Sequence, residues 1–320
     1  MVEFPPTLTH PLPLPQAGGE CGSSPGPAGR WRAQALTLRP LESLGSTDWL
    51  AERLGEPGLV VLDASSHLPD AQRDARAEFA AAHIPGARHL DLQTLFDPDS
   101  PVPYAIPTAE QFAARMEALG ANTGDRLVFY DDSAVKTSAR AWFVARLHGA
   151  GAAILDGGLG KWRAEGRPLE SGMPDVARGS FEPSRGAGTV RFKAEMLANL
   201  GKKREQVVDA RGRARFAGEE AEFRPGLPEG HIPGSRNLPF GLLLNDDGTF
   251  RDDKDLGRAF AEAGVDIDRP VVTTCGSGVT AAVLLFALDR LGKTDIALYD
   301  GSWSEWGADP DTPKETGPAA

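Results

Sequence analysis

Four blocks of this 320-residue sequence occur twice, in the same order and at nearly constant spacing. VVLD at Val60–Asp63 is echoed by VVD at Val207–Asp209, an offset of 146 at the aspartate. HIPG at His83–Gly86 returns unchanged at His231–Gly234, an offset of 148. LVFYDDS at Leu127–Ser133 matches PVVTTCGS at Pro270–Ser277, and ILDGGLGKW at Ile154–Trp162 matches ALYDGSWSEW at Ala297–Trp306, both at an offset of 144. Nearly constant offsets over several blocks mean a duplicated domain with small insertions in its loops. Any fold assigned to this chain has to be built twice.

Within each copy, short β-rich runs alternate with helical stretches. Val271–Thr274 reads as a strand, and Val279–Leu291 reads as a helix that is apolar on most sides. Alternation of this kind predicts an α/β fold with two tandem domains, each a parallel sheet with helices on both faces. The boundaries predicted from composition are a first domain over 36–170, a linker over 171–189, a second domain over 190–308 and a C-terminal tail over 309–320. The linker is rich in Gly, Pro, Ser and charge. Residues 1–35 are expected to be a disordered tail, since the first 30 residues hold seven prolines and five glycines. The repeated aspartates and HIPG blocks read as scaffold, with Pro and Gly fixing a turn that His83 and His231 hold by a local bond. Trp162, Trp303 and Trp306 read as core or interface aromatics.

The charge balance narrows the partners. With 45 acidic against 34 basic residues the chain carries a formal charge of −11, which argues against nucleic acid. No apolar run reaches the roughly 18 residues of a membrane helix. The chain has two cysteines, Cys21 and Cys275, which excludes a disulfide framework and a cysteine-rich zinc site. Its six histidines are scattered without ligand spacing, so neither a metal nor another cofactor is expected. Gly157-Gly158-Leu159-Gly160 lacks the lysine and serine of a nucleotide-binding P-loop. Cys21 falls in the Pro- and Gly-rich start and reads as an incidental thiol.

Cys275 stands in a different context. It follows an apolar strand and opens Cys275-Gly276-Ser277-Gly278-Val279-Thr280, after which the helix begins. In a parallel α/β sheet this is the carboxyl end of a strand, where ligand crevices form. Two glycines let the loop curl so that successive N–H groups point inward, and the helix N-terminus adds its positive end. Such a cradle favours an anion on the Cys275 sulfur, either thiolate or persulfide. A buried structural thiol is the plain alternative, although packing alone does not require glycines around it. Cysteine phosphatases use a similar loop but close it with an arginine that grips the phosphoryl oxygens. Here no arginine follows before Arg290.

CGSGVTA at Cys275–Ala281, the paired HIPG blocks, and the DGGLGKW and DGSWSEW segments resemble the two-domain rhodanese family, in particular its 3-mercaptopyruvate sulfurtransferase branch. The resemblance covers about Leu41–Gly307. It implies an inactive first domain, where Asp131 stands at the offset position of Cys275, and a second domain whose cysteine carries sulfur as a persulfide. By that resemblance Cys275 is the nucleophile, assisted by Ser277. Arg215 and Arg224 bind the donor carboxylate and keto group, and Gly276, Gly278, Val279 and Thr280 line the substrate loop. The neutral, small Gly276 and Ser277 favour a keto acid over the thiosulfate dianion. The resemblance also places Gln93 and Tyr104 where the branch often has an Asp and a His of a proton relay, and neither is a general base at neutral pH. The expected partners are a small-molecule sulfur donor and a thiol acceptor such as thioredoxin or a small reductant, with cyanide as an alternative acceptor. The expected setting is the cytoplasm, with neither nucleic acid nor membrane as a partner. Two other readings stay open: a thiosulfate sulfurtransferase, and a persulfide carrier that turns over slowly.

Overall fold

The computed structural model describes residues 42–319. The expected tail over 1–35, with Cys21, lies outside the described residues. The first sheet contains β1 (Leu44–Gly45), β2 (Leu59–Asp63), β3 (Arg88–His89), β4 (Arg126–Tyr130) and β5 (Gly151–Leu155), all parallel, in the order β1-β5-β4-β2-β3. The second contains β6 (Val190–Arg191), β7 (Gln206–Asp209), β8 (Arg236–Asn237), β9 (Val271–Thr274) and β10 (Ile296–Tyr299), parallel in the equivalent order β6-β10-β9-β7-β8. The central strands are nearly continuous apolar runs because helices cover both faces. The α/β reading with two parallel sheets holds, and β9 has the bounds read from sequence. The helix after it runs Ala281–Arg290, shorter than the predicted Val279–Leu291.

The repeated blocks do structural work. His83 Nδ1 donates to the Phe79 carbonyl and His231 Nδ1 to the Phe216 carbonyl, both at 2.8 Å, and each ring stacks on that phenylalanine. Gly86 and Gly234 both adopt φ +72°, as a glycine turn permits. Trp162, Trp303 and Trp306 are buried, and each indole N–H donates to a proline carbonyl, Pro168, Pro228 and Pro313 respectively. The strand-end aspartates accept the amide two residues on, Ser65 for Asp63 and Arg211 for Asp209, each at 2.9 Å. In the second copy Arg211 also pairs with Asp209 and Glu222 from full burial. Burial opposes that charge, but the flanking carboxylates outweigh it and hold the guanidinium above its ordinary range. Asp63 lacks such a pairing, and burial pushes its carboxyl up.

The two copies join through equivalent helices. Trp142 on the helix Ser138–Leu147 meets Phe286 on Ala281–Arg290 edge to face, with centroids 4.8 Å apart, and one apolar core runs through both domains. Two carboxylate bonds cross the boundary symmetrically: Asp300 accepts the Ile106 N–H and Asp156 accepts the Phe250 N–H, both at 2.8 Å.

Two segments outside the sheets are tied to the domains. Residues 171–189, read as a linker, form a strap bonded to the first domain: Gly172 N–H to Ala80 O, Gly179 N–H to Glu117 O, Ser184 N–H to His148 O and Gly186 N–H to Leu147 O. Phe181 in this strap is buried edge-on to Phe112. The stretch after residue 308, read as a tail, is also anchored, since Glu315 pairs with His231 along the backbone and its carboxylate accepts the Gly234 N–H. Composition marked both as coil, and the bonds holding them are largely backbone bonds that composition does not encode.

Phe181→Ala is expected to cost about 3 kcal/mol of stability, read as a lower urea midpoint. A loss below about 0.5 kcal/mol would mean that the strap is not part of the core. Arg211→Met is expected to cost about 3–5 kcal/mol, because it leaves Asp209 and Glu222 as uncompensated buried carboxylates. A fully stable variant would refute that account.

Candidate active site

Cys275 follows β9 at 2 % exposure. The loop after it is pinned from outside. The Cys275 carbonyl accepts the Trp303 N–H and the Gly276 carbonyl accepts the Ser304 N–H, both at 2.9 Å. The Gly276 carbonyl also accepts from the Ser304 hydroxyl and meets Arg224, while the Gly278 carbonyl faces Arg140 Nη1 at 3.5 Å. No cis peptide bond occurs among the described residues. In a trans peptide the C=O and N–H of one plane point opposite ways. Fixing these carbonyls therefore turns the N–H groups of Gly276, Ser277 and Val279 to the other side, into the curl of the loop. The helix Ala281–Arg290 begins there and adds its positive N-terminal end. This arrangement suits an anion held at the cysteine sulfur.

A cleft of about 210 Å³ opens on the loop and is built by both domains. From the second domain it is lined by Cys275, Gly276, Ser277, Val279, Thr280, Arg215 and Arg224; from the first, by His67, Gln93, Phe96 and Tyr104 among others. Seven of the eight predicted site residues thus meet in one cavity. Gly278, the eighth, is not among its lining residues. At φ +76° its Cβ would stand 2.9 Å from Arg140 Nη1 and 3.2 Å from the Asp300 carbonyl, so its contribution is the turn itself.

The two arginines are placed differently. Arg215 lies over the Phe223 ring at 4.2 Å, with Glu222 at 3.6 Å. Arg224 lies over the Tyr104 ring at 4.7 Å and donates to the Ser304 hydroxyl. Tyr104 accordingly props an arginine in the position the resemblance gives to a relay histidine. Its backbone is left-handed at φ +63°, and its ring meets Phe96 edge-on at 4.6 Å. His67 Nε2 is 3.0 Å from Glu78, whose carboxyl the Arg73 fork holds below the usual carboxylate range.

Sequence reading missed Arg140, Asp300, Ser304 and His67. One signal was available for Arg140, an arginine in the first turn of a helix whose other charged residue, Arg146, stands in the last turn. The first copy's own loop is closed by its side chain: Asp131 accepts the Ser133 and Ser138 N–H groups at 3.0 and 2.8 Å. A fixed carboxylate there takes up amides that a reactive sulfur would use.

Comparison with known proteins agrees with this architecture. The model of the rhodanese-like domain matches residues 46–165 and again 192–309. The chain is 39 % identical over 270 residues to 3-mercaptopyruvate sulfurtransferase of Escherichia coli K12, covering 84 % of this chain and 96 % of that protein. It is 37 % identical over 297 residues to thiosulfate/3-mercaptopyruvate sulfurtransferase 1, mitochondrial, of Arabidopsis thaliana, covering 86 % and 78 %. The crystal structure of SseA from Escherichia coli superposes with a TM-score of 0.75 at 36 % identity, over 83 % of this chain and all of that one. With two matched domains, two equivalent parallel sheets and one cysteine loop facing a shared cleft, the chain belongs to the rhodanese-like family and is a sulfurtransferase.

Proposed function

We propose that this protein takes sulfane sulfur from 3-mercaptopyruvate onto Cys275 and passes it to a thiol or cyanide, releasing pyruvate. The observation that carries the reading is a single cleft holding Cys275 together with Arg215 and Arg224 beside a loop whose side chains are uncharged. The planar fork of an arginine meets a carboxylate with parallel bonds, and two arginines suffice for the adjacent carboxylate and keto oxygens. The Escherichia coli relative is named for this donor, and the Arabidopsis thaliana relative for it together with thiosulfate.

In this scheme the Cys275 thiolate attacks the donor sulfur. The carbon–sulfur bond breaks, its electron pair moves into the keto group, and pyruvate departs as the enolate, which then takes a proton. The Ser277 side chain bonds the donor during this attack, and Cys275 is left as a persulfide among the N–H groups of Gly276, Ser277 and Val279. An acceptor thiolate then attacks the outer sulfur, leaves as a persulfide itself and returns the Cys275 thiolate. Thioredoxin or a small dithiol fits the acceptor role. A reducing compartment such as the cytoplasm suits turnover through a free thiolate. Among the described residues no helix is long and apolar enough to cross a membrane.

Cys275→Ser is expected to abolish both pyruvate release and the persulfide seen by mass spectrometry, and an active serine variant would overturn the scheme. With one acceptor, kcat/KM for mercaptopyruvate is expected to exceed that for thiosulfate; a ratio below one would assign thiosulfate as donor. A stable persulfide with negligible turnover on both would point to a carrier. Arg215→Lys keeps the charge but loses the fork, and is expected to raise KM for mercaptopyruvate roughly tenfold, as losing one charge-assisted hydrogen bond does.

A further inference from the structure

The structure assigns Arg140, a residue of the nucleophile-free first domain, as the positioning residue that holds the persulfide loop of the second. It is completely buried on the helix Ser138–Leu147, and its guanidinium reaches three groups. Nη2 donates to Asp300 Oδ1 at 2.9 Å and to the Tyr104 carbonyl at 2.8 Å, and Nη1 stands 3.5 Å from the Gly278 carbonyl. Tyr104 and Gly278 both have positive φ; Tyr104 lines the cleft, and Gly278 makes the turn of the loop that follows Cys275. Drawing the Gly278 carbonyl outward aims the N–H of the same peptide, that of Val279, into the loop.

The repeat supplies an internal control. At the offset of 144, Ile106, Asp156 and Arg140 correspond to Phe250, Asp300 and Leu284. The bond from a backbone N–H to the other domain's carboxylate is present on both sides, Ile106 to Asp300 and Phe250 to Asp156. The arginine is present on one side. A leucine serves the equivalent position, so joining the domains does not require a buried charge, which is costly to desolvate. Position 104 shows the same asymmetry: its counterpart is Gly248 at φ +81°, whereas the active side has a tyrosine held in a conformation unfavourable to a side chain. The charge and the strained residue both sit where the Cys275 loop passes.

This inference rests on Cys275 as the sulfur carrier, and the test separates the two. Cys275 is alkylated with iodoacetamide across a range of pH in the full chain, and donor kinetics are measured in parallel. Arg140→Gln is expected to slow alkylation near neutral pH about tenfold, moving the profile up by roughly one pH unit. It is also expected to shorten the life of the persulfide and to lower kcat with little change in KM for the donor. Arg140→Lys, keeping the charge, is expected to recover part of the alkylation rate. A folded Arg140→Gln with an unchanged alkylation profile and kcat would overturn the assignment. If that variant does not fold, the same measurements on Asp300→Asn decide, with a shifted profile supporting the assignment and an unchanged one refuting it. Failure of the Cys275 reading looks different: the wild-type enzyme would stay active after alkylation.

Discussion

Trp142 meets Phe286 across the boundary between the copies, and each is the counterpart of the other at the offset of 144. That contact joins the two helices that follow the two equivalent loops. It therefore sets how the end of one sheet faces the end of the other, and with that the existence of a cleft lined from both sides. An aromatic pair of this geometry adds about 0.5–1.5 kcal/mol beyond the area it buries. The larger effect is continuity, because the shared core makes the two domains one packed body.

Within that frame the positive charges divide by burial. Arg140 and Arg211 are completely buried and matched by carboxylates, Asp300 for one and Asp209 with Glu222 for the other. Arg215 and Arg224 line the cleft, backed by aromatic rings. A chain with a net charge of −11 repels an anionic donor at long range, so capture depends on cations that act at contact distance. The aromatic backing limits the orientations open to each guanidinium without neutralising it.

Much of this organisation was legible in the sequence because it rests on patterns that repeat. The offsets of the HIPG and aspartate blocks revealed the duplication, and the apolar run before Cys275 gave β9 its bounds. The loop residues that reach the cleft were identified from glycine spacing and resemblance. The rest depends on contacts between residues remote in sequence. Arg140 acts on Gly278 and Asp300, partners well over a hundred positions away, and an arginine in the first turn of a mostly apolar helix does not announce which carbonyl it will meet. Loop membership does not distinguish a lining position such as Val279 from a turn behind it such as Gly278. The bonds of the linker over 171–189 are not legible either, because Gly- and Pro-rich chain looks the same in sequence whether or not its amides find partners. Its backbone bonds to Ala80, Glu117, His148 and Leu147 depend on the finished first domain.

The strap has a kinetic consequence. Many enzymes with a site between two domains open and close on a hinge, so that binding includes the free energy of closure. Here the connection is bonded along its length and the core beneath it is continuous, which leaves no slack segment to serve as a hinge. The strap therefore supplies no hinge of its own, and the fit of whatever reaches Cys275 is set by walls that both domains contribute. With Cys275 almost fully buried at the foot of that cleft, a bulky molecule has to present a narrow protrusion to touch the sulfur.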